Sequence, residues 1–113
     1  MNSGPSAPIL VLSNLPDTDS AHKLAQLIIA RRLAACVNIL APCTSIYQWQ
    51  GKTETASEVP LLIKTTQQCY PALQELIRDQ HPYELPEIIQ VSINGGLDAY
   101  LQWLATTTME PLL

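Results

Sequence analysis

One long hairpin constrains this chain more than any other feature. Strand character begins at Ala34, where Val37 and Ile39 alternate with Cys36 and Asn38, the period-2 pattern of a half-buried strand. Ala41-Pro42 interrupts it, and because proline has no amide hydrogen to give a ladder, the break is a bulge or an edge position. Pairing character returns over Thr44-Ser45-Ile46-Tyr47-Gln48-Trp49. Gln50-Gly51-Lys52 then supplies the turn, since glycine takes positive φ without steric cost. A returning strand is expected over residues 53–65, with Val59 and Leu61-Leu62-Ile63 as its apolar part. Pro60 within it must occupy an unpaired or bulged position. Strands usually run about 3–10 residues, so arms of this length overhang a chain of 113 residues. An overhang carrying Ile46, Tyr47 and Trp49 needs a partner surface, which points to an oligomer.

The flanking segments complete an α+β pattern. Ile9-Leu10-Val11-Leu12 reads as a buried strand that stops at Pro16. Asp17 offers a carboxylate oxygen to the first free amides of a helix, and Asp19 adds favourable charge there. Ala21, Leu24, Ala25 and Ile28 form its apolar stripe, and the helix is expected to run to about residue 33, with Arg31 and Arg32 suiting its C-terminal end. A second helix is expected from about Gln68, with Pro71 in its first turn and Leu73, Leu76 and Ile77 as its stripe. Residues 88–93 read as a further strand, Gly95-Gly96 as a turn, and Tyr100, Leu101 and Leu104 mark a last helix. The order β-α-β-β-α-β-α predicts a ferredoxin-like βαββαβ sandwich with an extra C-terminal helix capping a sheet edge. Residues 1–7 read as a flexible tail, with no basic and apolar signal segment among them, and residues 8–113 as a single domain.

Hydrophobic residues make up 47% of the chain and charged ones 14%. So little charge leaves surface to be buried between subunits. A formal charge of -4 without a Lys/Arg cluster argues against nucleic acid as a partner. No apolar run approaches the roughly 20 residues that span a bilayer. Cys36, Cys43 and Cys69 lack paired spacing, so they read as free thiols and place the protein in the cytoplasm.

Residues 81–88, His-Pro-Tyr-Glu-Leu-Pro-Glu-Ile, put an imidazole, a phenol and two carboxylates on a connector stiffened by two prolines. A rigid turn between helix and strand is the plainer reading, and a preorganised set of polar groups the functional one.

Six pieces in fixed order resemble the CutA divalent-cation tolerance family. They are Pro16-Asp17, residues 32–39 (RLAACVNI), residues 45–51 (SIYQWQG), and Glu58-Val59 through residues 62–66 (LIKTT). His81-Pro82-Tyr83-Glu84 with Pro86-Glu87-Ile88, and Gly96 with Tyr100-Leu101-Gln102-Trp103, complete the set. The resemblance spans residues 9 to about 105. It implies a homotrimer of ferredoxin-like subunits whose hairpins pair across subunit boundaries, a role in tolerance of copper and other divalent metals, and no established catalytic reaction. The chain departs from the family at Ala41-Pro42, where many members have Pro-Gly, at Pro60, and at Ser13, where some bacterial members carry cysteine.

Two sets of candidate residues follow. For a metal, Cys36 is the natural soft ligand, since thiolate selects Cu(I), although free cysteine is also a common core residue. His81 with Glu84 or Glu87 offers one nitrogen and one or two oxygens, which a neighbouring subunit would have to complete. For a ligand cleft, Lys64, Tyr83 and Glu87 of one subunit would face Tyr47 and Trp49 of another, fit for a small anion or acid–base chemistry. Lys64, ending an apolar run, calls for a carboxylate partner, with Glu87 the first candidate; the pair could equally be an interfacial ion pair that fixes assembly. The leading expectation is a non-enzymatic, cytoplasmic homotrimer that binds divalent cations, copper above all, at subunit interfaces. The alternative is a trimeric signalling or structural scaffold that binds a small metabolite or protein in the interface cleft. An enzyme using Lys64, Tyr83 and Glu87 ranks last, because no activated nucleophile, metal triad or phosphate loop accompanies them.

Overall fold

A 15-residue strand, β4 (Lys52–Thr66), is the spine of the computed structural model, which describes residues 4–108. Before it come β1 (Pro8–Leu15), α1 (Thr18–Ala30), β2 (Cys36–Ile39) and β3 (Cys43–Trp49). After it come a 3-10 turn (Gln67–Cys69), α2 (Tyr70–Gln80), β5 (Ile89–Ser92) and α3 (Asp98–Thr107). The sheet is antiparallel in the order β2-β4-β1-β5, and β3 pairs with the other half of β4. This is the predicted sandwich, with its second strand split into β2 and β3.

Backbone chemistry explains the split. The Leu40 amide donates to the Pro60 carbonyl at 3.0 Å, one residue beyond the Ile39–Leu61 pair. An antiparallel pair of this kind needs two reciprocal bonds, and Pro60 has no N–H to return the second. The ladder therefore ends at Pro60 on this side, while its other side stays paired with β1 at Asn14. Pairing resumes at Cys43–Glu58. At the far end Trp49 faces Lys52 across a two-residue turn, with Gln50 at φ 51° and Gly51 at φ 80°. Two successive positive φ values give the turn twist that matches paired strands.

The Asp17 carboxylate accepts from the Ser20 amide at 2.8 Å and caps α1. The helix ends about three residues earlier than the apolar pattern suggests. Arg32 turns left-handed at φ 57°, and the Arg32 and Leu33 amides reach back to the Ile29 and Ile28 carbonyls. That pair of bonds is a Schellman closure, with arginine in the place glycine usually takes.

Alternate strand residues sort onto two faces. Ile9, Val11 and Leu15 of β1 and Val59, Leu61 and Ile63 of β4 pack against Leu24 and Ile28 of α1 and Leu73 and Ile77 of α2. Each fully buried Leu or Ile contributes about 2 kcal/mol of transfer free energy. The opposite face aligns Leu10 with Lys64 and Val91, and Leu12 with Leu62 and Ile89. On it Ile89 and Val91 remain 49% and 45% exposed. Helix α3 packs against the central strands β4 and β1 rather than capping an edge, anchored by fully buried Leu104. Of residues 1–7, the first three lie outside the described residues; in the remainder, the Pro5 and Ala7 carbonyls accept from the Gln68 and Gln67 amides.

Candidate functional site

The connector after α2 is held by its histidine. Pro82 forces His81 into extended backbone (φ -80°, ψ 134°), and the His81 amide still closes the helix on the Ile77 carbonyl. The buried imidazole then makes two bonds. Its Nε2 lies 2.6 Å from the Asn14 carbonyl oxygen, and its Nδ1 lies 3.1 Å from the Tyr83 amide nitrogen. A carbonyl only accepts and an amide N–H only donates, so Nε2 carries the proton and Nδ1 offers the lone pair. Both nitrogens are thus engaged in tying the connector to the end of β1.

Tyr83, held against the His81 ring at 4.7 Å between centroids, donates its hydroxyl to Glu58 Oε2 at 3.0 Å. Glu58 is 7% exposed. Burial, and then the bonded carboxylate, push the Tyr83 hydroxyl up from 10.0 to about 12. Glu87 is fixed from the other side, its Oε1 accepting from Asn14 Nδ2 at 3.1 Å. Register places Tyr47 and Trp49 on the same hairpin face as Glu58, because the pairs Cys43–Glu58, Ser45–Ala56, Tyr47–Glu54 and Trp49–Lys52 share it. Between this face and the connector opens a cleft of about 940 Å³. Tyr47, Trp49 and Tyr83 give it aromatic walls, and Glu58, Glu84 and Glu87 give it three carboxylates. Lysine and arginine are absent from its lining among the described residues.

The structure redistributes the residues named from sequence. Tyr47, Trp49, Tyr83, Glu84 and Glu87 line one cleft within a single chain. Lys64 is not with them. It pairs in register with Leu10 and Cys36, four residues along β4 from the Pro60–Asn14 pair, about 13 Å at the ordinary rise. Glu87 bonds to Asn14 instead, and no Lys64–Glu87 pair forms within the chain among the described residues. Arg78–Glu75 is the ion pair found among the described residues. Lys64 is only half-buried, so its ammonium stays hydrated while its stem packs. Without Lys64 the described residues lining the cleft carry no positive charge for an anion. Cys36 shares the Lys64 row and is equally remote from the connector. His81 has no free nitrogen for a metal, and no three His, Cys, Asp or Glu side chains gather as a metal-ligand group among the described residues. Sequence reasoning missed Glu58 and Asn14. A carboxylate just before the apolar run at Val59 was the available signal for Glu58; Asn14 gave none.

These observations define a class: a ferredoxin-like α+β domain with an overhanging hairpin and an acidic, aromatic cleft at its base. The profile described as CutA1 divalent ion tolerance protein matches residues 9–107. Protein CutA of Homo sapiens is 43% identical over 82% of this chain and 52% of its own length. The divalent-cation tolerance protein CutA of Thermus thermophilus is 42% identical over 88% of this chain and 96% of its own. The crystal structure of CutA1 from Oryza sativa superimposes with a TM-score of 0.90 at 40% identity, covering 93% of this chain and 96% of that one. The chain belongs to the CutA1 divalent ion tolerance family. It spans about half the length of the plant and animal relatives it matches.

Proposed function

We propose that this chain is the subunit of a non-enzymatic homotrimer of the cytoplasm that serves divalent-cation tolerance, binding copper above other ions at sites completed between subunits. Family membership carries the reading, since relatives over nearly the full chain are named for divalent-cation tolerance. The sheet face opposite α1 and α2, with Leu10, Leu12, Leu62, Ile89 and Val91, supports assembly, because such a patch on a small protein is ordinarily buried. Cys36 and Cys43, neither of them in a disulfide, support a reducing compartment. Ligands from one chain are too few for a metal site, so Cys36 and the carboxylates of Glu84 and Glu87 are the groups a neighbouring subunit would complete; His81 drops out. Copper titration of the assembly, its mass fixed by light scattering, tests this beside Cys36→Ser and Glu84→Gln. Saturable copper binding, tighter than calcium and lost in one variant, is expected. Copper binding no tighter than calcium would overturn it.

A second reading is a scaffold that takes a small metabolite in the cleft. The 940 Å³ volume supports it, being within the roughly 300–1,000 Å³ of small-molecule sites and far larger than one ion needs. A thermal-shift screen with at least one ligand-induced stabilisation is its expected result.

A further inference from the structure

We propose that the cleft binds a free organic cation, an ammonium or guanidinium group carrying apolar substituents. This rests on the small-metabolite reading of the same cleft and names the ligand class. Three facts select that chemistry. The first is uncompensated charge. Glu58 is a carboxylate more than nine-tenths buried, yet its hydrogen-bond partner is a neutral phenol and no cation of the described residues lines the cleft. Burying a carboxylate is costly unless a cation pairs with it. Lys52 lies across from Trp49 at the hairpin tip, six residues along β4 from Glu58, about 20 Å away. Asp17 is close enough to act electrostatically on Tyr83, so its charge deepens the negative field.

The second is the wall material. Tyr47, Trp49 and Tyr83 bring aromatic rings to the lining, and the quadrupole of such rings attracts cations, most strongly when the cation is weakly hydrated. A bare divalent ion keeps its water and prefers several oxygens in tight geometry; an alkylated ammonium gives up water easily and fills apolar walls. The third is preorganisation. Asn14 fixes Glu87, Tyr83 fixes Glu58, and His81 fixes Tyr83, so little side-chain entropy remains to be lost on binding.

Tryptophan fluorescence of the full chain tests this. The sequence has two tryptophans, so Trp103→Phe leaves Trp49, in the cleft, as sole reporter. Choline is the probe, acetate the anionic control. Choline should quench saturably with Kd of about 1 mM or tighter, and salt should weaken the binding. Affinity should fall roughly tenfold or more in Glu58→Gln. Glu84→Gln, at an exposed position, should weaken binding without disturbing the fold. Choline without saturation, or with unchanged affinity in folded Glu58→Gln and Glu84→Gln, overturns the proposal. Saturation by acetate instead overturns the ligand class while leaving the small-molecule reading of the cleft intact. Choline binding seen only in Lys52→Ala would give the cleft to that ammonium of a second copy, and would also overturn the free-ligand proposal.

Discussion

Replacing Tyr83 by phenylalanine removes one hydroxyl and leaves the ring on His81, so it isolates the bond to Glu58 at 3.0 Å. Hydrogen bonds to charged groups contribute about 1.5–3 kcal/mol. Tyr83 is only partly buried, and solvent screening lowers the expectation to about 1–2 kcal/mol. Linkage supplies a second, independent signature. The folded-state value of Tyr83 is raised from 10.0 to about 12. A raised value means that the neutral form is favoured by folding, so this contribution is fully present below pH 10. It declines as pH rises toward 12, where the folded chain must also lose the proton. The wild type should therefore exceed Tyr83→Phe by a constant margin from neutral pH to about pH 9, and the margin should shrink between pH 10 and 12. Urea unfolding at fixed chain concentration measures it, since any assembly makes apparent stability depend on concentration. The other three tyrosines are common to both proteins and cancel in the difference. Equal urea midpoints at neutral pH, or a margin that persists unchanged to pH 12, would refute the reasoning.

Three further outcomes follow from a buried, a strained and an exposed position. Ser13 Oγ is buried without a hydrogen-bond partner among the described residues; Ser13→Ala removes an unmet polar atom and leaves only a small void, so stability should rise by about 1 kcal/mol in urea unfolding. Arg32 holds φ 57°, which costs a non-glycine residue about 1 kcal/mol, so Arg32→Gly should raise the thermal midpoint. Val91→Glu places a charge on the open sheet face beside Leu10; if the chain assembles as the proposed trimer, light scattering should show mass falling from three chains to one, and an unchanged mass would remove that face from the interface.

Much of the fold was legible because its signals are local. The Gln50-Gly51 turn, the Asp17 cap and the Pro71 helix start each act within a few residues, through backbone sterics or a side-chain cap; Ala41-Pro42 marks where the ladder breaks, although the missing amide hydrogen is that of Pro60 across from it. The end of α1 was misread for a local reason too: arginine gives no sign that it will adopt the left-handed conformation that glycine usually supplies.

The cleft was only half legible. Sequence alone named Tyr47, Trp49, Tyr83, Glu84 and Glu87, because aromatic and acidic residues on a stiff connector and an overhanging hairpin stand out without any structure. It also determined which side chains share a strand face, since the period of two is a property of the chain. Where each face meets another element was decided by tertiary structure. Lys64 and Glu58 lie on the same face of one strand, but six residues apart, so only Glu58 reaches the connector. The bonds Tyr83–Glu58, His81–Asn14 and Asn14–Glu87 join residues 25, 67 and 73 positions apart. They exist because strand register and the ladder break at Pro60 bring the hairpin base beside the end of β1. Contacts at such separation depend on how the sheet assembles, and no pattern within a single segment encodes them.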